Sequence, residues 1–246
     1  MWLKTRYQIN NINEQNNYRV LARKYRPNDF SELIGQDTLV KTFNNALNKG
    51  RLAHAFLLTG IRGIGKTTTA RIIAKALNCI GDGSKKDPSF EICNDCSPCQ
   101  SINNGNFLDV IEVDAASRTG VDGIREIIDS VIYSPNNARY KIYIIDEVHM
   151  LSNAAFNALL KTLEEPPQNV KFIFATTEIK KIPATIISRC QRFDLQRIDL
   201  QTLSNHLKNI CQNESISFDN ESISHICKAS EGSVRDALSL LDQAAP

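Results

Sequence analysis

The sequence GIRGIGKT, residues 60–67, decides the fold of this chain. It fits the pattern GxxxxGK[ST], in which glycines let backbone N–H groups wrap closely around a phosphate. Lys66 would then reach the β- and γ-phosphates of a nucleotide, and the Thr67 hydroxyl would bind Mg²⁺. The pattern requires a strand before it and a helix after it. An apolar run covers residues 55–59, and residues 66–77 carry apolar side chains at helical spacing. The stretch therefore predicts a nucleotide site, with a glycine-rich turn that binds nothing as the alternative.

Length and composition fit a globular protein with one large domain, or one plus a small second domain. The chain has 246 residues, 42% of them hydrophobic, and a net charge of +2, so no global field marks it as a nucleic-acid binder. No apolar run approaches the length of a transmembrane helix. Residues 1–17 are rich in Asn and lack an apolar core, which predicts a disordered extension rather than a secretory signal. Seven unevenly clustered cysteines indicate a reducing cytoplasm.

Four of the cysteines follow the predicted P-loop helix. Cys93, Cys96 and Cys99 have Cys-x2-Cys-x2-Cys spacing, and Cys79 can supply a fourth thiolate. Four sulfur ligands without a free position are typical of a structural Zn²⁺ rather than a catalytic one. An iron–sulfur cluster uses similar spacing, and buried thiols without a ligand are a further alternative.

A second motif is KIYIIDEVHM at residues 141–150. Its four consecutive apolar residues predict a central strand, which places Asp146 and Glu147 at its carboxyl end, the edge where open parallel sheets bind ligands. Asp146 there matches the acidic residue that holds the Mg²⁺ of a P-loop, and Glu147 can orient a water molecule or accept its proton. A solubilising acidic pair at a sheet edge is the alternative. A further strand is predicted at residues 107–114.

Three other polar features are weaker signals by themselves. Thr176 and Thr177 follow an apolar strand at residues 171–175, where a hydroxyl can face the γ-phosphate, although they can also be a plain strand end. Arg189 ends a short predicted helix, where its charge is favourable for the helix dipole, so alone it is a helix cap. Arg235 lies in the first turn of a helix, where its charge costs about half a kcal/mol. That cost favours a functional role for Arg235.

Longer stretches of the sequence resemble a known family. They are LARKYRP (21–27), DAASRTG (114–120), IDEVHMLS (145–152), FNALLKTLEEPP (156–167) and SVRDALSLLDQA (233–244). They look like the tau/gamma subunits of bacterial DNA polymerase III, the motor subunits of the sliding-clamp loader, and the resemblance runs over residues 18–245. It implies an α/β P-loop domain of the AAA+ class at residues 18–196, with a parallel five-stranded sheet and a zinc-binding insert at about 79–99. A small all-helical lid domain would follow at residues 197–246.

The resemblance also implies a role for each matching residue. By this resemblance, Glu147 would orient the attacking water, and Arg235 would contact the nucleotide of its own subunit. Arg189 would be the arginine finger that reaches the nucleotide of the neighbouring subunit. The remaining expected positions are Lys66, Thr176 and Thr177 at the phosphates; Gly60, Arg62, Gly63, Ile64, Gly65, Thr67 and Thr68 in the ATP-binding loop; Arg23, Arg26 and Pro27 beside the base; Thr67 and Asp146 on Mg²⁺; and Cys79, Cys93, Cys96 and Cys99 on Zn²⁺.

The function that the resemblance implies is ATP hydrolysis by the polymerase III clamp loader, which loads the sliding clamp onto primed DNA for chromosomal replication. The expected partners are clamp-loader subunits of the delta and delta-prime type, copies of this chain, the sliding clamp and primer–template DNA, in the cytoplasm at the replisome. The chain is expected to be an N-terminal fragment that ends before the oligomerising collar and carries no polymerase site. The alternatives are another AAA+ or helicase-like P-loop ATPase of DNA metabolism and a nucleotide-bound subunit without activity.

Overall fold

A parallel sheet of five strands forms the centre of the molecule. The computed structural model describes residues 20–117 and 121–245; the predicted extension at 1–17 lies outside them. The strands are β1 (Ala55–Thr59), β2 (Val110–Asp114), β3 (Lys141–Asp146), β4 (Val170–Thr176) and β5 (Gln191–Asp194). Their order in the sheet is β2-β3-β4-β1-β5, and all neighbours pair in parallel. The predicted sheet is confirmed.

Helices cover both faces of this sheet, which explains why β1 and β4 consist almost entirely of apolar residues and are buried throughout. Alternate strand residues point to opposite faces, so Phe56 and Leu58 enter one core and Leu57 the other. The helices are α1 (Leu21–Lys24), α2 (Asp37–Asn48), α3 (Lys66–Asn78), α4 (Ser97–Asn104), α5 (Val121–Val131), α6 (Asn153–Glu164), α7 (Ala184–Ile187), α8 (Leu200–Asn213), α9 (Asn220–Ala229) and α10 (Val234–Ala244). None of the described helices is long and apolar enough to cross a membrane.

The last three helices form the predicted helical lid. Each begins with a side chain that accepts a hydrogen bond from a backbone N–H of the first turn: Asp199 for α8, Asp219 for α9 and Ser233 for α10. Their apolar faces join the core on the α3 side of the sheet. The N-terminal segment contacts the lid as well, because the Leu21 N–H donates to Asp242 Oδ2 at 2.9 Å.

One strand begins later than its sequence pattern predicts. The pattern predicts a strand from residue 107, but β2 begins at Val110 and Leu108 is 77% exposed. Asp109 is buried, and its carboxylate accepts hydrogen bonds from the backbone N–H groups of Asn136, Asn137 and Ala138. These contacts anchor Asp109 to the loop before β3, and a turn between Phe107 and Val110 precedes the strand.

Candidate nucleotide-binding site

A cleft of about 1530 Å³ is lined by the P-loop, the end of β3, the segment around α1 and the lid. Most of the predicted nucleotide site residues line it: Arg23, Arg26, Pro27, Arg62, Gly63, Ile64, Gly65, Lys66, Thr67, Thr68, Asp146, Glu147, Thr177 and Arg235. Three predicted residues, Gly60, Thr176 and Arg189, are not part of this lining. The structure therefore brings residues from five separate parts of the sequence to one cleft.

The P-loop occupies the turn between β1 and α3, as its pattern predicts. Gly65 has a φ of +105° and immediately precedes the first residue of α3, Lys66, so the turn needs a backbone conformation that only glycine adopts readily. Lys66 is buried, and its Nζ donates to the carbonyl oxygens of Gly60 and Ile61, both at 3.0 Å. Burial lowers the pKa of Lys66, while the nearby carboxylates of Glu147 and Asp146 raise it. Gly60 thus contributes to the P-loop through its carbonyl oxygen, which accepts a hydrogen bond from Lys66.

Two oxygen ligands suited to a magnesium ion lie side by side at the end of β3. The Thr67 hydroxyl donates to Asp146 Oδ2 at 2.6 Å, and the N–H of Glu147 donates to Asp146 Oδ1 at 2.9 Å. Hydroxyl and carboxylate oxygens are the hard ligands that Mg²⁺ prefers. The two residues predicted to hold the ion therefore fit it.

Glu147 is held by a network of polar side chains. Its backbone is left-handed, with φ +46°, and its Oε2 accepts a hydrogen bond from the Thr177 hydroxyl at 3.1 Å. His149 Nδ1 lies 3.4 Å from the same oxygen and 3.0 Å from Thr176 Oγ1, and its Nε2 lies 3.4 Å from Glu178 Oε1. Thr176 is buried behind the cleft, whereas Thr177 lines it. The sequence pattern alone does not distinguish between the two threonines, and it contains no signal that would identify His149 as part of this network.

The basic residues around the cleft come from the N-terminal segment and the lid. Arg26 Nε donates to Thr68 Oγ1 at 3.1 Å, which joins the N-terminal segment to the P-loop helix. Burial, followed by the charge of Arg71, lowers the pKa of Arg26. The N–H of Arg235 donates to the Gly63 carbonyl at 3.2 Å, so the start of α10 contacts the tip of the P-loop.

Arg189 lies elsewhere on the surface. Its Nη2 is 2.6 Å from Glu164 Oε1 at the end of α6, and its Nη1 donates to the Thr185 carbonyl at 2.7 Å. A third of its side chain is exposed. The guanidinium is thus held by its own domain but remains accessible to another molecule.

The four clustered cysteines meet at the end of α3. The Sγ atoms of Cys79, Cys93, Cys96 and Cys99 all lie within 4.8 Å of one another, and those of Cys79 and Cys93 are 3.5 Å apart. A tetrahedral Zn²⁺ with Zn–S bonds of about 2.3 Å needs sulfur atoms at such distances. Burial acts to raise the pKa of the Cys93 thiol, but N–H groups of Cys96 and Asp95 lower it to about 6. The set fits one ion better than a cluster of several iron and sulfide ions, which would need space between the ligands.

The order of the strands and the helical lid define the class of the protein. β4 lies between β1, which carries the P-loop, and β3, which carries the acidic pair, and a lid of three helices follows the sheet. Solved structures with this fold include the Holliday junction branch migration motor RuvB of Thermotoga maritima. That chain superposes with a TM-score of 0.63 at 23% identity, over 88% of this chain and 63% of its own. At this identity the likeness shows the fold alone: a P-loop domain of the AAA+ ATPase class.

Comparison with protein families gives a narrower assignment. Residues 35–199 match the model of the DNA polymerase III delta subunit, and residues 202–245 match that of the ATPase lid domain of a DNA polymerase III clamp loader subunit. The gamma subunit of Buchnera aphidicola from Acyrthosiphon pisum is 54% identical over 93% of this chain. The tau/gamma subunit of Haemophilus influenzae is 50% identical, and the tau subunit of Escherichia coli K12 is 48% identical, each over 92% of this chain. The chain belongs to the tau/gamma family of DNA polymerase III clamp-loader subunits.

The matching region is only part of these relatives. The chain spans 62% of the Buchnera protein, 32% of the Haemophilus protein and 34% of the Escherichia coli protein.

Proposed function

We propose that this chain binds and hydrolyses ATP as a motor subunit of a clamp loader that places a sliding clamp on primed DNA. One observation carries the proposal: Lys66 and the hydrogen-bonded pair of Thr67 and Asp146 meet in one cleft, with Glu147 beside them. Membership of the tau/gamma family supports the clamp-loader setting, with delta-type and delta-prime-type subunits, copies of this chain, the clamp and primer–template DNA as partners.

The P-loop and the end of β3 would bind the triphosphate. Lys66 now donates to two carbonyl oxygens of its own loop, so its charge is already held where the phosphates would lie. Thr67 and Asp146 would hold Mg²⁺, which would screen the negative charge of the phosphates. The cluster of Cys79, Cys93, Cys96 and Cys99 would hold a structural Zn²⁺.

The Glu147 carboxylate is suited to orient the attacking water and accept its proton. The Thr177 hydroxyl donates to this carboxylate and lines the cleft, so the same hydroxyl can turn to the γ-phosphate when a nucleotide is bound. A contact with the γ-phosphate would then release Glu147 towards the water. Thr177 is therefore our choice for the residue that senses the γ-phosphate, and Thr176 supports it from behind.

The two arginines would act on different nucleotides. Arg235 lines the cleft of its own subunit and begins the lid helix that contacts the P-loop. Arg189 is outside that cleft and partly exposed, and by the family resemblance it would complete the site of a neighbouring subunit. An arginine finger is worth about a thousandfold or more in rate, and an isolated subunit should hydrolyse ATP slowly.

We place the boundary between the AAA+ domain and the lid near residue 197, between the end of β5 at Asp194 and the start of α8 at Leu200.

The experiment that tests this function is ATP hydrolysis by the full-length protein, assembled with delta, delta-prime and the sliding clamp, with and without primed DNA. We expect strong stimulation by clamp and DNA together. Lys66→Ala should abolish ATP binding, whereas Arg189→Ala should keep ATP binding and lose stimulated hydrolysis. Arg192→Ala is the matched control, because Arg192 is an exposed arginine on the neighbouring strand that pairs with Asp194. A correctly assembled complex that ignores clamp and DNA would contradict the clamp-loader function.

A further inference from the structure

Lys75 is a charged residue in the interior of the domain. It lies near the end of α3, and its side chain is almost completely buried. Its Nζ donates hydrogen bonds to the carbonyl oxygen of Asn28 and to Asn94 Oδ1, the latter at 3.0 Å. A buried lysine is rare in folded proteins unless its charge is paired. Both acceptors are neutral, so the compensating charge must come from other groups.

The two acceptors of Lys75 belong to two different parts of the chain. Asn94 is in the cysteine loop (residues 80–96), between Cys93 and Cys96. Asn28 is in the N-terminal segment (residues 20–33) and directly follows Pro27, which lines the cleft. Lys75 therefore ties the loop that carries two of the clustered thiols to the segment that forms one wall of the cleft.

Two further contacts join the cysteine loop to the N-terminal segment. The rings of Phe30 and Phe90 stack with their centroids 4.7 Å apart and their planes 8° from parallel. Asn94 Nδ2 also lies 3.5 Å from Asp29 Oδ2. Because packed surfaces in a protein interior are close-fitting, a displacement of the cysteine loop would be transmitted to the N-terminal segment.

Charged groups of the cysteine cluster and of the N-terminal segment act on Lys75. Burial lowers the pKa of Lys75, whereas the charges of Cys99, Asp29, Glu32 and Cys79 raise it. Two of these groups are clustered thiols, and the other two are carboxylates of the N-terminal segment. Four thiolates around one divalent ion keep a net negative charge, which is the partner that a buried ammonium group requires.

We propose that Lys75 is a positioning residue through which Zn²⁺ binding at the four cysteines strengthens ATP binding in the cleft. The inference rests on the proposed zinc and ATP sites and adds a coupling between them. When the four thiols bind an ion, the cysteine loop is fixed. Lys75 then holds Asn28, and with it the cleft wall at Arg26 and Pro27, in place before the nucleotide arrives. Less conformational entropy is lost when ATP binds to a wall that is already ordered.

The coupling is tested from the metal side. Coupling between two binding sites is reciprocal, so bound nucleotide should raise the affinity for Zn²⁺ by the same factor by which Zn²⁺ raises the affinity for nucleotide. The Zn²⁺ affinity of the full-length protein is measured by competition with a zinc-selective chelator, with and without saturating ATPγS, a slowly hydrolysed ATP analogue. Binding of ATPγS itself is measured on the same samples.

Two variants break the contact from its two ends. Lys75→Met keeps the apolar stem and removes the charge. Asn94→Gly removes the acceptor, and glycine readily adopts the φ of +59° found at this position. Lys85→Met is the matched control, because Lys85 is a lysine of the same loop whose Nζ donates to the Glu91 carbonyl at 2.8 Å, within the loop itself.

In the wild type and in the control we expect ATPγS to raise the Zn²⁺ affinity about fivefold or more. In Lys75→Met and in Asn94→Gly both ligands should still bind, but the factor should fall to about one. Asn94→Gly decides the matter if Lys75→Met does not fold.

A residue that only stabilises the fold would change the two affinities without changing the factor between them. A factor in the variants equal to that of the wild type would therefore overturn the inference. A wild-type factor of one with both ligands bound, or a wild-type protein without Zn²⁺, would overturn it as well and leave the proposed ATPase function intact. A protein that binds Zn²⁺ but no nucleotide would refute the proposed function, and the inference with it.

Discussion

Replacing Gly63 by alanine should separate the lid from the P-loop. Gly63 has a φ of +75°, and a Cβ added there would overlap the Ser233 hydroxyl and lie 3.2 Å from Arg235 Cβ. The Ser233 hydroxyl accepts from the N–H of Asp236 at 3.3 Å and so caps α10. The Gly63 carbonyl also accepts from the N–H of Arg235. An added methyl group would therefore disturb both the cap and this contact.

The structure gives the size of the effect. A Cβ in the left-handed region costs about 1–2 kcal/mol. Loss of the cap costs about 1 kcal/mol, and loss of the hydrogen bond from Arg235 costs about 1 kcal/mol more. Gly63→Ala should thus lower the free energy of unfolding by about 3–4 kcal/mol. Gly50→Ala is the control, because Gly50 has a φ of +62° and its added Cβ would meet no atom within 4 Å. It should lose only about 1–2 kcal/mol.

Urea unfolding of the two variants measures these free energies, and ATP binding measures the consequence for the site. Gly50→Ala should keep the affinity for ATP. In Gly63→Ala the affinity for ATP should fall about tenfold or more, because Arg235 would move out of the cleft when the lid separates from the P-loop. If the two variants unfold with free energies within about 0.5 kcal/mol of each other and bind ATP equally well, Gly63 does not hold the lid, and the reasoning from the added Cβ fails.

Three further predictions concern the proposed zinc site, a buried charge and the proposed sensor residue. The chain should carry one zinc ion per molecule, and Cys96→Ser, but not Cys190→Ser, should lose the ion and unfold at a lower temperature; metal analysis and thermal unfolding check this. Burial lowers the pKa of Lys171 from 10.5 to about 8, so the unfolded state binds more protons between these pH values and stability should rise from pH 8 to 10.5. In Lys171→Met, urea unfolding at several pH values should show a smaller rise, and equal slopes would mean that Lys171 does not titrate there. Thr177→Val should slow ATP hydrolysis by the assembled complex more than it weakens ATP binding, whereas Thr176→Val should mainly lower stability, since its buried hydroxyl contacts His149 and accepts the N–H of Glu178.

The P-loop end of the cleft could be predicted from sequence because its signals are local. The P-loop pattern fixes a strand, a turn and a helix within about 25 residues, and β1 and α3 begin at the predicted residues. Asp146 needed one more step, since a parallel strand places its carboxyl end at the same sheet edge as the P-loop. The contact of Thr67 with Asp146, 79 positions later in the chain, confirms that step.

Contacts between distant segments could not be predicted in the same way. Asp109 lies within an apolar alternation that is typical of a strand, and only the loop at residues 136–138, which binds its carboxylate, shows why β2 starts later. His206 lies on an amphipathic helix, between its apolar and its polar face, where a histidine is most often only part of the protein surface. Its place in the cleft depends on how the lid packs against the rest of the domain, which no pattern within α8 contains.

The cysteine cluster and the cleft are structurally connected, because α3 runs from one to the other. This helix begins with Lys66 at the cleft and is followed directly by Cys79 in the cluster. Near its end, Lys75 is buried and lines the cleft, and its Nζ donates to Asn94 Oδ1 in the cysteine loop and to the carbonyl of Asn28. Asn28 follows Pro27, which lines the same cleft. A metal ion that fixes the cysteine loop would therefore also fix the N-terminal segment over the nucleotide, although none of the four thiols lines the cleft.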